Sequence, residues 1–83
     1  MSYDNILGNA QANSFCDIIC SSDSPDVITE FFESGGTIEV ARDTARLLSE
    51  LAETARKRGE EEACLGFIER RKYLVAECER RLS

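Results

Sequence analysis

The chain has 83 residues, which suffice for one domain with a modest core, and it contains no His and no Trp. The absence of His removes the commonest zinc ligand and the commonest general base at neutral pH. The formal net charge of −6 also makes nucleic acid and anionic membranes poor partners, because both bind through excess cationic charge.

Charge divides the chain into two parts, which we expect to form a single domain over 1–83. Residues 1–36 contain six acids and no Lys or Arg, whereas residues 37–83 contain ten acids and ten bases. The whole net charge therefore belongs to the first part, which we predict to be an acidic segment of short helices. A protein with a basic surface is the partner that this charge favours.

The first elements in chain order are predicted to be short helices. One helix from Tyr3 to Cys20 would place apolar residues on two faces, so we favour two pieces, over 3–9 and 15–21. In this interpretation Ser14 begins the second piece as a capping box, with Asp17 in place of Glu. A short strand over 15–20 is the alternative.

A third short helix is predicted from Pro25 to Ser34. Ser24 supplies an N-cap, Pro25 suits the first helical position, and Val27, Ile28, Phe31 and Phe32 form one face. The glycine pair that follows Ser34 ends this helix.

The second half predicts a C-terminal antiparallel helical hairpin, with helices over 38–58 and 60–82. Thr37 is a good N-cap, and Gly59 stands between a cationic helix end and an anionic helix beginning. The first of these helices has an unusually wide apolar face. The apolar stripe of the second is displaced from the position that the first stripe would reach in one unbroken helix, which indicates a break between them. We therefore predict an all-α fold, a small helical bundle.

The cysteines are predicted to be reduced and free of metal, and no cofactor is expected. Cys64 and Cys78 lie roughly 20 Å apart along a straight helix, so both cannot bind one ion. The N-terminus lacks the positive and apolar regions of a signal peptide, and no apolar stretch approaches the ~18 residues of a membrane span. We expect a cytoplasmic protein with no membrane association.

Two features of the hairpin suggest binding surfaces. Arg71 lies on a helical wheel amid the apolar stripe of the last helix, where its charge needs a partner residue, a ligand or a route to water. The apolar residues also exceed one seam, and they are covered either by residues 15–34 or by another protein. The candidate partner-binding residues are Val40, Leu47, Leu51, Leu65, Arg71 and Tyr73.

These features predict a protein-protein interaction module, an acidic helical adaptor or inhibitor that forms a homo-oligomer. Catalysis is not expected, since no base accompanies a candidate nucleophile. One alternative is a phage-type inhibitor that mimics nucleic acid and blocks a basic nucleic-acid-binding enzyme. The other alternative is a small-ligand sponge that uses Arg71 at a subunit interface.

Overall fold

The all-α fold class is confirmed by the computed structural model, which describes residues 3–22 and 24–82, with side chains from residue 10 onward. These residues form a small bundle of four helices, and no strand occurs among them. The helices are α1 (Tyr3–Ser21), α2 (Asp26–Glu33), α3 (Ile38–Lys57) and α4 (Glu61–Leu82). None of the four is long and apolar enough to cross a membrane.

Helix α1 corrects the prediction of two short N-terminal helices. It runs without a break through residues 10–14, and Ser14 is an exposed position inside the helix rather than a cap. The strand alternative is wrong for the same reason. Apolar residues on two faces are what a helix needs when it packs against several neighbours, and α1 contacts α2, α3 and α4.

Helix α2 begins and ends close to the predicted limits. The N-cap is Pro25 rather than the predicted Ser24, and it has no side-chain cap hydrogen bond. The Ser24 hydroxyl, one residue earlier, accepts a hydrogen bond from the backbone N–H of Asp26 (3.2 Å). At the other end, Gly35 adopts a φ of +99°, and the N–H of Gly36 donates to the carbonyl of Phe31 (2.9 Å). The glycine pair therefore turns the chain directly from α2 into α3.

Helices α3 and α4 lie within one residue of the predicted limits. Thr37 caps α3 by accepting a hydrogen bond from the backbone N–H of Val40 (3.3 Å). Gly59 has a φ of +77° in the three-residue connection, where the N–H of Glu60 donates to the carbonyl of Ala55 (2.9 Å). This turn brings α4 back against α3, and their contact is the most extensive in the bundle.

The core lies on the wide apolar face of α3, which is buried between α1 and α4. Leu48 of α3 and Leu74 of α4 are fully buried. Phe15 and Ile19 of α1, with Ile28 of α2, complete the central cluster. A domain of this size buries only about 60% of the surface that its unfolded chain exposes, so the apolar area in its core is small.

Candidate functional site

An open groove runs between α1 and α2 and encloses a volume of about 610 Å³. This volume falls within the range of about 300–1,000 Å³ that binding clefts in proteins usually have. The groove is mainly apolar and is lined by Ala10, Gln11, Ser14, Phe15, Ile18, Val27, Glu30, Phe31, Ser34, Gly35 and Gly36.

The floor of the groove is a pair of stacked aromatic rings. The centroids of Phe15 and Phe31 lie 3.8 Å apart, with 15° between the ring planes. Phe31 also meets Phe32 edge to face at 5.1 Å, and its ring lies directly against the backbone of Gly36. The rim carries Ile18, which is 53% exposed although it is a large apolar residue.

The groove lies in the acidic part of the protein. Glu30 lines it directly, and Asp17, Asp26 and Glu33 are exposed elsewhere on α1 and α2. Neither helix has a basic residue in its last turn. A cation from α4 does approach α2, because the guanidinium of Arg81 lies 4.6 Å from the ring centroid of Phe32. Among the residues that line the groove, Glu30 is nevertheless the one that carries a charge.

None of the six predicted binding residues lies in this groove. Val40 is buried, at 8% exposure, and Leu47 is half-buried against the core, so both help to hold the bundle together. Leu51, Leu65 and Tyr73 are exposed.

Arg71 is exposed, so its charge has a route to water, which is one of the alternatives that the sequence leaves open. Leu74 and Cys78 mark the buried side of α4, and Arg71 lies about 60° around the helix from Leu74 and about 20° from Cys78, so it borders that side. The partly buried cation is Arg70. Its Nε donates a hydrogen bond to the carbonyl of Ile19 in the last turn of α1 (3.1 Å).

Two of the thiols, Cys16 and Cys78, have little nucleophilic character. All four cysteines are free, and burial together with the neighbouring Cys20 raises the pKa of Cys16 to about 12. Burial also raises the pKa of Cys78. A neutral thiol is a poor nucleophile and a poor metal ligand. Across residues 3–22 and 24–82, no cluster of His, Cys, Asp or Glu is arranged to hold a metal ion.

The sequence contained part of the signal for the groove. Val27 and Phe31 lie four residues apart on one predicted face, and the glycine pair indicated that the chain turns closely after that helix. The facing wall cannot be identified from the sequence, because Phe15 and Ile18 belong to a separate predicted helix whose orientation the local pattern does not give.

Comparisons with protein-family models, with curated proteins and with solved structures give no match. The function is therefore inferred from the shape of the groove, its charge and the apolar residues that the fold leaves exposed.

Proposed function

We propose that the protein is a non-enzymatic interaction module that binds a cationic, amphipathic helix of another protein in the groove between α1 and α2. The observation that carries the proposal is the position of the groove. A mainly apolar cleft of about 610 Å³ lies in the part of the chain, residues 1–36, that contains six acids and no base.

The shape of the groove favours a helix. Amphipathic helices bind in apolar grooves through side chains spaced three or four residues apart, and aromatic floors provide such side chains with large contact areas. The stacked rings of Phe15 and Phe31 form that floor, and Ile18 at the rim would cover the flank of a docked helix. Each apolar side chain that becomes fully buried would contribute about 1.5–3 kcal/mol before the costs of association.

The charge of the groove selects the partner. Lys and Arg residues flanking the apolar stripe of a docked helix would lie close to Glu30 and the other carboxylates of α1 and α2. Complementary charge increases the association rate and excludes acidic helices, while the apolar contact supplies most of the affinity. This is a protein-binding role for an acidic adaptor or inhibitor.

A designed peptide tests the proposal. The peptide is a fluorescein-labelled 16-residue helix with Leu on one face and Lys on both flanks, and binding is followed by fluorescence anisotropy. We expect saturable binding, at least tenfold weaker binding to Ile18→Asp, and no binding of a peptide with Glu in place of Lys. Leu82→Asp is the matched control, since Leu82 is also a large apolar residue of similar exposure (59%) but lies outside the groove.

The results also separate this role from nucleic-acid mimicry. Apolar docking predicts a negative heat-capacity change and affinity that persists in 0.5 M NaCl. Mimicry predicts an affinity that falls steeply with salt, together with competition by duplex DNA. Unchanged affinity for Ile18→Asp would show that the groove is not the binding site.

A further inference from the structure

We propose that a second copy of this chain also occupies the groove, through the outer face of α4, so that the protein associates head to tail. The proposal rests on the proposed function, because it uses the same groove and the same kind of occupant. It identifies one helix that fits the requirements for the partner: exposed apolar side chains, exposed cations beside them and a rigid helical backbone.

The outer face of α4 carries an apolar stripe that the protomer does not cover. Leu65 is 65% exposed and Ile68 is 48% exposed, and Lys72 and Ala76 continue the same face of the helix, both exposed. The four residues are spaced at i, i+3, i+7 and i+11. This is the spacing by which amphipathic helices bind in apolar grooves. We call these four residues the α4 stripe.

The α4 stripe lies in the most cationic part of α4. Residues 64–76 contain one acid, Glu69, and three bases. Arg70 is directed towards α1, where it donates to the carbonyl of Ile19, whereas Arg71 and Lys72 are exposed. Lys72 lies within the α4 stripe and Arg71 lies beside Ile68, so both cations would lie near the carboxylates of the groove on a second copy. Glu69 lies on the other side of the stripe.

The groove and the α4 stripe share no residues, so their contact is heterologous. A heterologous contact leaves one free groove and one free stripe on every pair. Further copies can therefore bind at both ends, and the assembly grows unless it closes into a ring. A cationic partner helix would compete for the same groove. Binding of the partner should therefore release monomers, by mass action.

Sedimentation velocity between 5 and 500 µM tests the association. We expect the average mass of the wild type to at least double over this range. Ile18→Asp, which blocks the groove, and Ile68→Asp, which blocks the stripe, should each be monomeric. Both residues are exposed, so circular dichroism should show folded variants. Where Ile18→Asp fails to fold, Glu30→Lys serves as the groove variant.

Mixing the two blocked variants gives the decisive result. Each retains one intact surface, so an equimolar mixture should form a heterodimer and nothing larger. A symmetric α4 to α4 dimer predicts the opposite, since Ile18→Asp would dimerise alone; that result would overturn the proposal. The designed cationic peptide should also convert wild-type oligomers to monomers.

The two proposals fail separately. A wild type that is monomeric at 500 µM but binds the peptide in its groove would exclude head-to-tail association and leave the proposed function intact. A protein that self-associates but ignores the peptide, with Ile18→Asp as oligomeric as the wild type, would exclude both.

Discussion

Replacing Gly36 with Ala should disturb the floor of the groove. A Cβ atom at this position would lie well inside the van der Waals distance of three atoms of the Phe31 ring. The ring has little freedom to withdraw, because it is stacked on Phe15 and meets Phe32 edge to face. The substitution therefore forces either the ring or the backbone to move.

The expected cost follows from these contacts. Overpacking of this kind costs about 1–3 kcal/mol, and loss of the aromatic stack is part of that cost. Ala also stiffens the unfolded chain, which offsets about 0.4–1 kcal/mol. We expect Gly36→Ala to lower the free energy of unfolding by about 1–2 kcal/mol, which corresponds to a fall of roughly 5–15 °C in Tm for a domain of this size.

The neighbouring glycine provides a matched control. Gly35 has a φ of +99°, and a Cβ atom there would meet nothing within 4 Å. Gly35→Ala should therefore lose about 1 kcal/mol through backbone strain alone. Its groove should remain intact, so it should bind the cationic peptide like the wild type, while Gly36→Ala should bind it more weakly.

Thermal melts by circular dichroism and peptide anisotropy would measure both effects. The reasoning would be refuted by a Gly36→Ala protein that melts and binds like the wild type, since the ring would then move without loss. Weakened peptide binding in Gly35→Ala alone would show that the turn, rather than the ring, controls the groove.

Three further outcomes are expected from the core and from α4. Leu48→Ala should lower the free energy of unfolding by about 3 kcal/mol in chemical denaturation, and Leu51→Ala, at a position 38% exposed, by less than half of that. Arg70→Gln should lower it by about 1 kcal/mol through loss of the bond to an α1 carbonyl, whereas Arg71→Gln should leave it nearly unchanged. Because the pKa of Cys16 is raised from 9.0 to about 12, the unfolded chain releases this proton first, and stability should fall as the pH rises above about 9. Cys16→Ala should show a smaller fall over the same pH range.

The limits of helices α3 and α4 could be predicted because residues close to each limit in the sequence determine them. Thr37 supplies a side-chain acceptor, Gly59 supplies a positive φ, and cations precede that glycine while anions follow it. Each of these signals acts within four residues along the chain. The structure accordingly differs from the predicted limits by no more than one residue.

Helix α1 and the groove depend on information that local patterns lack. A two-sided apolar pattern indicates a break only if one neighbour is assumed, whereas α1 packs against three helices. The groove requires the distance between Phe15 and Phe31, which are sixteen residues apart and belong to different helices. Arg71 shows the same limit: a helical wheel places it close to Cys78, but only the packing of the helices shows that it reaches solvent.

The charges of the four helices follow two different rules. Helices α3 and α4 carry Glu in the first turn and Arg or Lys in the last turn, so their charges stabilise the helix dipoles. Helix α2 ends at Glu33, and neither α1 nor α2 has a base in its last turn. Acids near the C-terminus of a helix oppose its dipole. Local departures from favourable design are expected where function requires them, and Glu30, in the second half of α2, lines the groove.

This arrangement predicts that stability and binding oppose each other. The double substitution Glu30→Gln and Glu33→Gln removes repulsion among carboxylates and should raise Tm, and it should weaken peptide binding because the groove loses charge. Glu61→Gln is the control, and it should change Tm in the opposite direction. Glu61 lies in the first turn of α4, where its negative charge interacts favourably with the helix dipole. The substitution should therefore lower Tm and leave peptide binding unchanged. Salt should reduce both differences in Tm. If the double variant instead melts at a lower temperature and binds normally, the acids of α2 serve the fold, and the charge of the groove is not what selects the partner.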